Sequence, residues 1–555
     1  MYRNLKTFLL VFSIFFIIIF IATQGLLNGY FEQDEWLGIA NVMNSYNLPW
    51  WNILVPWVHF SPLGTFFWSA LYKIFNLQAQ YYFLTELIVH SSVATLVFIL
   101  TMRLTKNKAI AVLTGLLFLL NGRAYQAFTH LAFLHSTDAA MFFILLFFVY
   151  LSGIKEKIVS LKKIIILFLI FLAAVSIREE GFIIIPLFAV YLFCFDKKKI
   201  NKNNFKYLGL FTAGVIIFLF IRLFAQSLNT ESIPVQYQIT GSGAEYNLAT
   251  IPVKFVVQNL VWSERIALFF LNNTKKTYPD IESYFTSQAP IMDAAFFYIF
   301  SIIIAICALW LWNIRPKRIV PIFIFFLIWI LANAFMLSFV GRHISVVEPR
   351  YLYFSSFPVL SFLSIFMYTL YTSKGRIRIF NYAKKISVIT LFAVLLITSF
   401  QEIRIAVDYM SHSGIVKKQV LNSLREVHPV LSKNTIFYVK CKNKCYRNGE
   451  LGIPSENVLP FSSGPGMNIL VMYAVGHEKE WGPFFTKEFL FHMLSEDYKK
   501  VGDRSFGYFV TKSKLEDTLK KNHLSKNIVV ALEINEDNYT FKDISKEFRK
   551  TIFED

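Results

Sequence analysis

The sequence predicts a polytopic α-helical membrane protein with about eleven transmembrane helices and a C-terminal α/β domain. Of its 555 residues, 55% are apolar and 17% aromatic, and the apolar residues form runs long enough to cross a bilayer. The basic residues collect in short clusters between these runs, which is typical of loops retained in the cytoplasm. After residue 401 the apolar runs shorten, charges of both signs mix and strand-like segments appear.

The first predicted span has an apolar core from Phe8 to Ala22 and no evident cleavage site, so we expect a retained helix rather than a signal peptide. With the N-terminus inside, basic segments such as 197–199 and 315–318 fall on the cytoplasmic side of the plasma membrane. The predicted spans lie at approximately 7–27, 80–102, 108–121, 137–153, 162–176, 180–196, 205–226, 292–313, 319–340, 351–372 and 385–401.

Two domains are expected. The first, at 1–401, is transmembrane and carries two long outer loops, at 28–79 and 227–291. The second, at 402–555, is the α/β domain, and an odd number of spans makes it extracytoplasmic. Segment 251–271 of the second outer loop is predicted to be an amphipathic helix at the membrane interface. In the α/β domain, strands are predicted at 435–440, 506–510 and 527–533 and a helix at 513–523.

The formal net charge of +19 invites a nucleic-acid interpretation, but the position of the charges argues against it. The basic residues lie in loops beside apolar spans, so we expect membrane lipids as partners and no nucleic acid. Cys441 and Cys445 either close a disulfide in the outer domain or remain thiols. Their spacing, without further ligands, is not a zinc signature.

An acidic pair, Asp34 and Glu35, follows the first span in a loop rich in aromatic residues. Charged groups near a bilayer are costly to desolvate, so their default interpretation is a functional site. A positioned carboxylate suits a general base. The alternative is that the pair only ends a helix and solvates the loop. His59 in the same loop either contacts a substrate or is bonded to the backbone.

Three arginines, Arg178, Arg342 and Arg350, lie at predicted outer ends of spans. A guanidinium fork matches the oxygens of a phosphate, so these residues are candidates for a phosphate clamp. Arg178 alternatively forms a self-neutralising cluster with Glu179 and Glu180, which follow it. Arg350 alternatively anchors a helix end at the lipid headgroups.

Three further polar residues fall inside or at the ends of spans. Glu86 and His90 lie four residues apart on one helix face, and we expect them to satisfy each other inside the bundle. Asp138 begins a predicted span and is either a substrate contact or a structural residue.

The order of these motifs carries a family resemblance. They are Asp34-Glu35, His59-Phe-Ser-Pro62, Leu77-Gln-Ala-Gln-Tyr-Tyr-Phe83, Leu116-Leu-Phe-Leu-Leu-Asn121, Ser176-Ile-Arg-Glu-Glu-Gly181 and Glu348-Pro-Arg-Tyr351. In this order, over roughly residues 1–400, the chain resembles the GT-C superfamily of integral-membrane glycosyltransferases. The nearest patterns are protein O-mannosyltransferases and bacterial lipid A aminoarabinose transferases.

The resemblance implies transfer of a sugar, with inversion, from a polyprenyl-phosphate donor to an extracytoplasmic acceptor, which is a glycan, a lipid or a protein. It implies that Asp34 is the general base with Glu35 as its partner or substitute. The developing charge on a departing phosphate calls for a cationic clamp, for which Arg350 is the candidate, with Arg342 and Arg178 as further candidates. Further substrate contacts are expected at His59, Glu179, Glu180, Asp138 and Tyr351. No cluster of metal ligands is evident in the sequence, and a divalent metal remains an open alternative.

Two other functions compete with this interpretation. A transporter or flippase of lipid-linked sugars generally places charges near the bilayer midplane and contains paired repeats. Here most charges collect at one predicted face, and no internal repeat is visible. A non-catalytic membrane scaffold that presents the outer domain is the second alternative.

Overall fold

The computed structural model describes residues 2–31, 33–45, 61–131, 137–154, 160–195, 202–227, 244–260, 316–338, 347–373, 378–440, 465–486, 496–535 and 538–553, with Ile302, Ile306 and Leu309. The chain divides into two compact units. Unit 1 contains Met1–Gln24, Leu54–Gly64 and Thr85–Ala406. Unit 2 contains Gly25–Ile53, Thr65–Leu84 and Val407–Asp555. The division into domains at residue 401 stays a prediction.

The described α-helices are numbered along the chain. They are α1 (Tyr2–Ala22), α2 (Gln33–Ser45), α3 (Pro62–Phe75), α4 (Ala79–Thr105), α5 (Lys108–Leu119), α6 (Gln126–Thr129), α7 (Thr137–Gly153), α8 (Leu161–Ile177), α9 (Ile184–Phe195), α10 (Lys202–Ser227), α11 (Ala244–Leu260), α12 (Pro316–Ser338), α13 (Pro349–Thr372), α14 (Arg378–Val427), α15 (Pro465–Ala474), α16 (Glu478–Trp481), α17 (Lys512–Lys521) and α18 (Ser545–Thr551).

Among the described residues, 5 helices are long and apolar enough to cross a membrane. They are Leu5–Ala22, Ala79–Thr105, Val320–Ser338, Pro349–Thr372 and Asn381–Val427. Helices that are apolar on all sides require either a bilayer or a surrounding bundle, which supports a multi-pass membrane protein. Other predicted spans coincide with shorter helices, such as α5, α8 and α9. Most of the predicted span at 292–313 lies outside the described residues, so the count of eleven stays a prediction.

Aromatic rings hold the core of unit 1 together. Trp329 of α12 packs edge-on against Phe325 and against Phe357 of α13, with centroid distances of 5.8 and 5.1 Å. Phe147 of α7 meets Phe188 of α9 at 5.6 Å in the same geometry. Lipid tails are as apolar as these side chains, so close packing and ring geometry, rather than exclusion of water, favour the helix contacts.

Helix α11 is an interior helix of unit 1, packed against α12 and α13. Its polar residues Asn247, Lys254 and Gln258 are fully buried. The prediction of an interfacial amphipathic helix at 251–271 is therefore wrong for the part described, because the polar face of α11 is turned inward. Residues 261–271 lie outside the described residues.

Unit 2 is built around a five-stranded sheet with the order β2-β3-β1-β4-β5. The strands are β1 (Asn434–Lys440), β2 (Asp497–Val501), β3 (Arg504–Phe509), β4 (Val529–Asn535) and β5 (Thr540–Asp543). The central strand β1 runs parallel to β3 and β4, with Ile436 opposite Gly507 and Val529. The edge strands β2 and β5 are antiparallel to their neighbours. The apolar side chains of β1, β3 and β4 form one core with α17 and α18.

Unit 2 also includes the helices α2 and α3, which follow α1 in the sequence. Helix α2 packs against α15, α16 and the 3₁₀ turn Gly482–Phe484. Tyr72 of α3 donates a hydrogen bond to Glu478 Oε1 at 2.7 Å. Trp36 is buried and its indole nitrogen donates to the carbonyl oxygen of Phe31 at 3.1 Å. The acidic pair of the sequence therefore belongs to a helix that packs on the C-terminal part of the chain.

A buried carboxylate fixes the start of α17 in unit 2. Glu496 accepts hydrogen bonds from the backbone nitrogen of Val510 at 2.7 Å and from the hydroxyl of Thr511 at 3.0 Å, and Lys514 Nζ lies 2.7 Å away. Burial raises the pKa of Glu496, but the hydrogen bonds from Lys514, Val510 and Thr511 outweigh it, so the pKa is lowered from its ordinary value.

The Glu496 contacts make the stability of unit 2 depend on pH. Because the folded pKa lies below the unfolded one, the stabilisation is present above the unfolded pKa and is lost as the pH falls through the folded pKa. We expect Glu496→Gln to cost about 1–2 kcal/mol at neutral pH. Thermal unfolding of the full chain in detergent should show that the difference in stability between the wild type and Glu496→Gln disappears below about pH 4. Glu547→Gln, at an exposed position of α18, is the matched control. If this difference in stability persists unchanged in acid, the ionised Glu496 carboxylate is not its source.

Candidate functional site

Two of the predicted arginines meet at one tyrosine in unit 1. Tyr351 lies in the first turn of α13. The guanidinium carbon of Arg350 is 4.9 Å from the centroid of its ring, and that of Arg178 is 5.7 Å from the same centroid. Guanidinium groups at these distances are attracted by the negative face of the ring. The sequence places the two arginines 172 positions apart (350 − 178), so only the fold brings them together.

The turn after α8 holds Arg178 in position. Arg178 has an extended backbone, ends α8 and precedes the 3₁₀ turn Glu179–Ile183. The backbone nitrogen of Gly181 donates to the carbonyl oxygen of Arg178 at 2.9 Å. A Cβ atom on Gly181 would come within 2.6 Å of the backbone of Ala174. The close return of the chain onto α8 therefore requires glycine at this position.

The beginning of α13 is fixed from α11. Gln258 donates to the carbonyl oxygen of Val347 at 3.1 Å and accepts from its backbone nitrogen at 3.0 Å. This pair of bonds fixes the residue that precedes Glu348, the N-cap of α13, and Pro349 follows as the first helical residue. The first turn of α13, which carries Arg350 and Tyr351, is thus fixed on its N-terminal side by the amide of Gln258.

The two arginines differ in burial and in partners. Arg178 is 5% exposed; its Nε donates to Glu180 Oε2 at 2.7 Å, and its Nη1 donates to Thr137 Oγ1 at 2.6 Å. The side chain of Arg350 is 20% exposed and pairs with Glu348 at 2.6 Å. Each guanidinium group is therefore paired with a carboxylate, and Glu179 adds a further negative charge near Arg178. An anion that enters the site competes with these carboxylates for the guanidinium donors.

A second polar cluster lies next to Thr137, inside the helices. His90 Nδ1 is 2.8 Å from the hydroxyl of Tyr353 and 3.7 Å from Asp138 Oδ2, and Nε2 is 3.0 Å from the carbonyl oxygen of Leu119. The expectation that Glu86 and His90 satisfy each other is wrong. Both ring nitrogens of His90 are occupied by groups on α5, α7 and α13, while Glu86 lies beside Asp138.

The described residues do not show several of the other predicted site residues next to Tyr351. His59 and Arg342 lie outside the described residues. Asp34 is in the first turn of α2, and its side chain also lies outside the description. Glu35 is fully buried within unit 2. Because Asp34 and Glu35 belong to unit 2 and the arginines to unit 1, a shared pocket between them stays a prediction.

A buried network of amides and hydroxyls near the start of α13 was not predicted. Asn121 donates to Asn259 Oδ1 at 3.0 Å and to Ser356 Oγ at 2.7 Å, and Asn259 donates to Ser355 Oγ at 2.9 Å. The sequence signal is the pair Ser355-Ser356 inside an apolar span, since polar side chains in such spans generally bond to other helices. This network ties the turn that follows α5 to α11 and α13.

Metal binding has no support in the described part of the chain. There, no group of three or more His, Cys, Asp and Glu residues is arranged to hold a metal ion. Because this finding covers only the described residues, a divalent metal stays an open alternative. Cys441 and Cys445 lie outside the described residues.

Comparison with known structures finds distant similarity. ArnT from Cupriavidus metallidurans, bound to undecaprenyl phosphate, matches with a TM-score of 0.45 and 10% identity, over 95% of this chain and 93% of that chain. The chain resembles GT-C glycosyltransferases. The apo oligosaccharyltransferase of Archaeoglobus fulgidus matches with a TM-score of 0.44 and 14% identity, over 84% of this chain and 64% of that chain.

A further match is AglB from Archaeoglobus fulgidus in complex with an inhibitory peptide and a dolichol-phosphate. It has a TM-score of 0.43 and 14% identity, over 83% of this chain and 63% of that chain. The chain therefore spans less than two thirds of the archaeal oligosaccharyltransferase. No protein-family profile and no curated protein matches the chain. With TM-scores below 0.5, these similarities carry no functional argument of their own.

Proposed function

We propose that this protein is a membrane glycosyltransferase that moves a sugar from a polyprenyl-phosphate donor to an extracytoplasmic acceptor. One observation carries the proposal: Arg178 and Arg350 lie against the same ring, Tyr351, in a unit whose helices are long and apolar. Ionisable residues are rare in such a setting and generally mark a substrate site. Two guanidinium groups around one position favour an anion with several oxygens.

A phosphate attached to a lipid fits these arginines in two ways. Guanidinium forks bind phosphate oxygens bidentately, and an amphipathic Tyr side chain suits the level of lipid headgroups. Arg350 is the more exposed arginine and would receive the phosphate first. Arg178, held by Glu180 and Thr137, would supply a fixed positive charge behind it. As the sugar leaves, the growing negative charge on the phosphate would be stabilised by both groups.

The proposed reaction needs a base, and we assign this role to Asp34. Its carboxylate takes the proton of the acceptor hydroxyl while the hydroxyl oxygen bonds to the anomeric carbon. The bond between that carbon and the phosphate oxygen breaks, and the electron pair leaves with the phosphate. Attack from the side opposite the leaving group gives inversion. Successive helix positions point about 100° apart, so the burial of Glu35 does not imply burial of Asp34.

The remaining predicted contacts complete the proposal. Glu179 and Glu180 tune the charge at Arg178, and His59, Asp138 and Tyr351 are kept as candidate substrate contacts. The acceptor is left as a glycan, a lipid or a protein. The α/β part of unit 2 is proposed to be extracytoplasmic, on the side where the acceptor is present.

The deciding experiment uses the purified full chain in lipid nanodiscs and in liposomes. Radiolabelled sugars on undecaprenyl and dolichyl phosphates are offered with a membrane-envelope extract as the acceptor source. Transfer of label from the lipid to a new product supports the proposal. Donor translocation across liposomes without transfer would identify a transporter or flippase. Absence of transfer, translocation and lipid-phosphate binding together would leave a scaffold.

A further inference from the structure

A pair of carboxyl groups inside unit 1 takes no part in the bond-forming and proton-transfer steps of the proposed reaction. Glu86 of α4 and Asp138 of α7 are both fully buried and lie beside each other. Their four carboxylate oxygens make no hydrogen bond of ordinary distance and angle within the described residues. Buried polar atoms nearly always have a partner, so an unsatisfied carboxyl pair requires an explanation.

The proton positions around His90 follow from its neighbours. A carbonyl oxygen only accepts hydrogen bonds, so the contact of Nε2 with Leu119 O at 3.0 Å requires a proton on Nε2. In the neutral ring, Nδ1 then accepts, and the hydroxyl of Tyr353, 2.8 Å away, donates to it. A neutral His90 therefore gives no proton to Asp138. The Tyr353 hydroxyl lies within reach of both His90 and Asp138, and its single proton cannot satisfy both of them.

The positive charge that the described residues place near this pair is already paired. Within the described part of the chain, the groups facing the carboxyl pair are His90 from α4, Tyr353 from α13 and, through Thr137 of α7, Arg178. Arg178 bonds to Glu180 and to the Thr137 hydroxyl. Two adjacent ionised carboxylates without water would repel each other, in addition to losing their hydration. One bound positive charge removes that conflict.

We propose that Glu86 and Asp138 form a proton-binding site, in which one proton is shared between the two carboxyl groups at neutral pH. The protonated carboxyl donates a hydrogen bond to the ionised one, which satisfies both groups. A metal ion in its place would need more ligands, and the described residues contain no suitable group of three. The site takes up or releases a proton inside the helix bundle, one residue from the Thr137 contact with Arg178. It does not depend on the proposed transferase activity.

Infrared spectroscopy of the purified full chain in nanodiscs tests this site directly. A protonated carboxyl group has a carbonyl stretch separate from that of carboxylates, and it shifts in heavy water. We expect a band at neutral pH equivalent to one carboxylic acid group per chain. Labelling all aspartate or all glutamate side chains with carbon-13 at the carboxyl carbon should shift this band in the wild-type chain, which requires no variant to fold.

The variants assign the band. We expect the band to be lost in the double variant Glu86→Gln with Asp138→Asn, and to be altered in each single variant. Glu245→Gln, which changes an exposed carboxylate of the same unit, should leave the spectrum unchanged. Absence of the band in wild-type protein at neutral pH would overturn the proposal. Its survival in the double variant, or its loss on addition of sodium, potassium or magnesium ions, would do so as well.

Discussion

Replacement of Asp34 by Asn is expected to remove sugar transfer while the protein remains folded. The amide has the shape of the carboxylate but cannot accept the proton of the acceptor hydroxyl. General-base catalysis typically contributes about 100-fold or more to a rate. We therefore expect kcat to fall by at least about 100-fold, with little change in the KM for the lipid donor. The measurement is the initial rate of label transfer in nanodiscs, with thermal unfolding recorded on the same preparation.

Glu35→Gln tests whether the second carboxylate of the pair acts mainly through stability. Glu35 is the adjacent carboxylate of the same helix, but it is fully buried in unit 2. Because a buried carboxylate is held by its surroundings, Glu35→Gln should lower the unfolding temperature more than Asp34→Asn does. A rate in Asp34→Asn equal to that of the wild type would exclude Asp34 as the base. If the cellular phenotype were also unchanged, the scaffold alternative would gain support.

The sequence predicts contacts within one element better than contacts between elements. The segments predicted at 435–440, 506–510 and 527–533 overlap β1, β3 and β4, because β-branched and aromatic residues are concentrated there. The edge strands β2 and β5 were not predicted, since Asp497–Val501 and Thr540–Asp543 are short and largely polar. Their strand conformation comes from pairing with β3 and β4, which no local pattern records.

The candidate site shows the same limit. The outer ends of the predicted spans singled out Arg178 and Arg350, but no sequence pattern indicated that both would lie against the ring of Tyr351. Spacing of four residues placed Glu86 and His90 on one face of α4, yet the partner of His90 is Tyr353, 263 residues away. Such a partner is fixed by helix packing. In addition, no pattern indicated that α2 would pack against α15 and α16.

The two arginines should respond differently to removal, because Arg178 is buried and Arg350 is partly exposed. Arg178 is buried and paired with Glu180, whose side chain is 14% exposed. Arg178→Ala leaves that carboxylate and the Thr137 hydroxyl without their guanidinium. Breaking a buried pair by removing one partner costs about 3 kcal/mol or more. We expect a large fall in the unfolding temperature and loss of activity together.

Arg350→Ala should leave the protein folded and weaken binding of the lipid donor. Glu348, which loses its partner, is 33% exposed and lies at the N-terminus of α13, where the helix dipole favours a negative charge. Loss of one charge-assisted contact with the phosphate costs about 1.5–3 kcal/mol, which corresponds to about 10- to 100-fold weaker binding. Measurement of the KM for the donor, and of the binding of undecaprenyl phosphate alone, checks this.

Conservative replacement separates charge from geometry at Arg350. Lysine keeps the positive charge but lacks the planar fork, so Arg350→Lys should recover only part of the affinity for a phosphate. Arg404→Ala is the control, because its guanidinium donates to the backbone carbonyl oxygen of Gln24 in unit 1. In the described residues, the guanidinium groups over the Tyr351 ring are those of Arg178 and Arg350. An unchanged KM in Arg350→Ala would leave Arg350 as a lipid-headgroup anchor. If a specific phosphate site exists, the affinity for the donor depends on which arginine is removed. An equal rise of the KM in Arg404→Ala would therefore indicate a general attraction of anions.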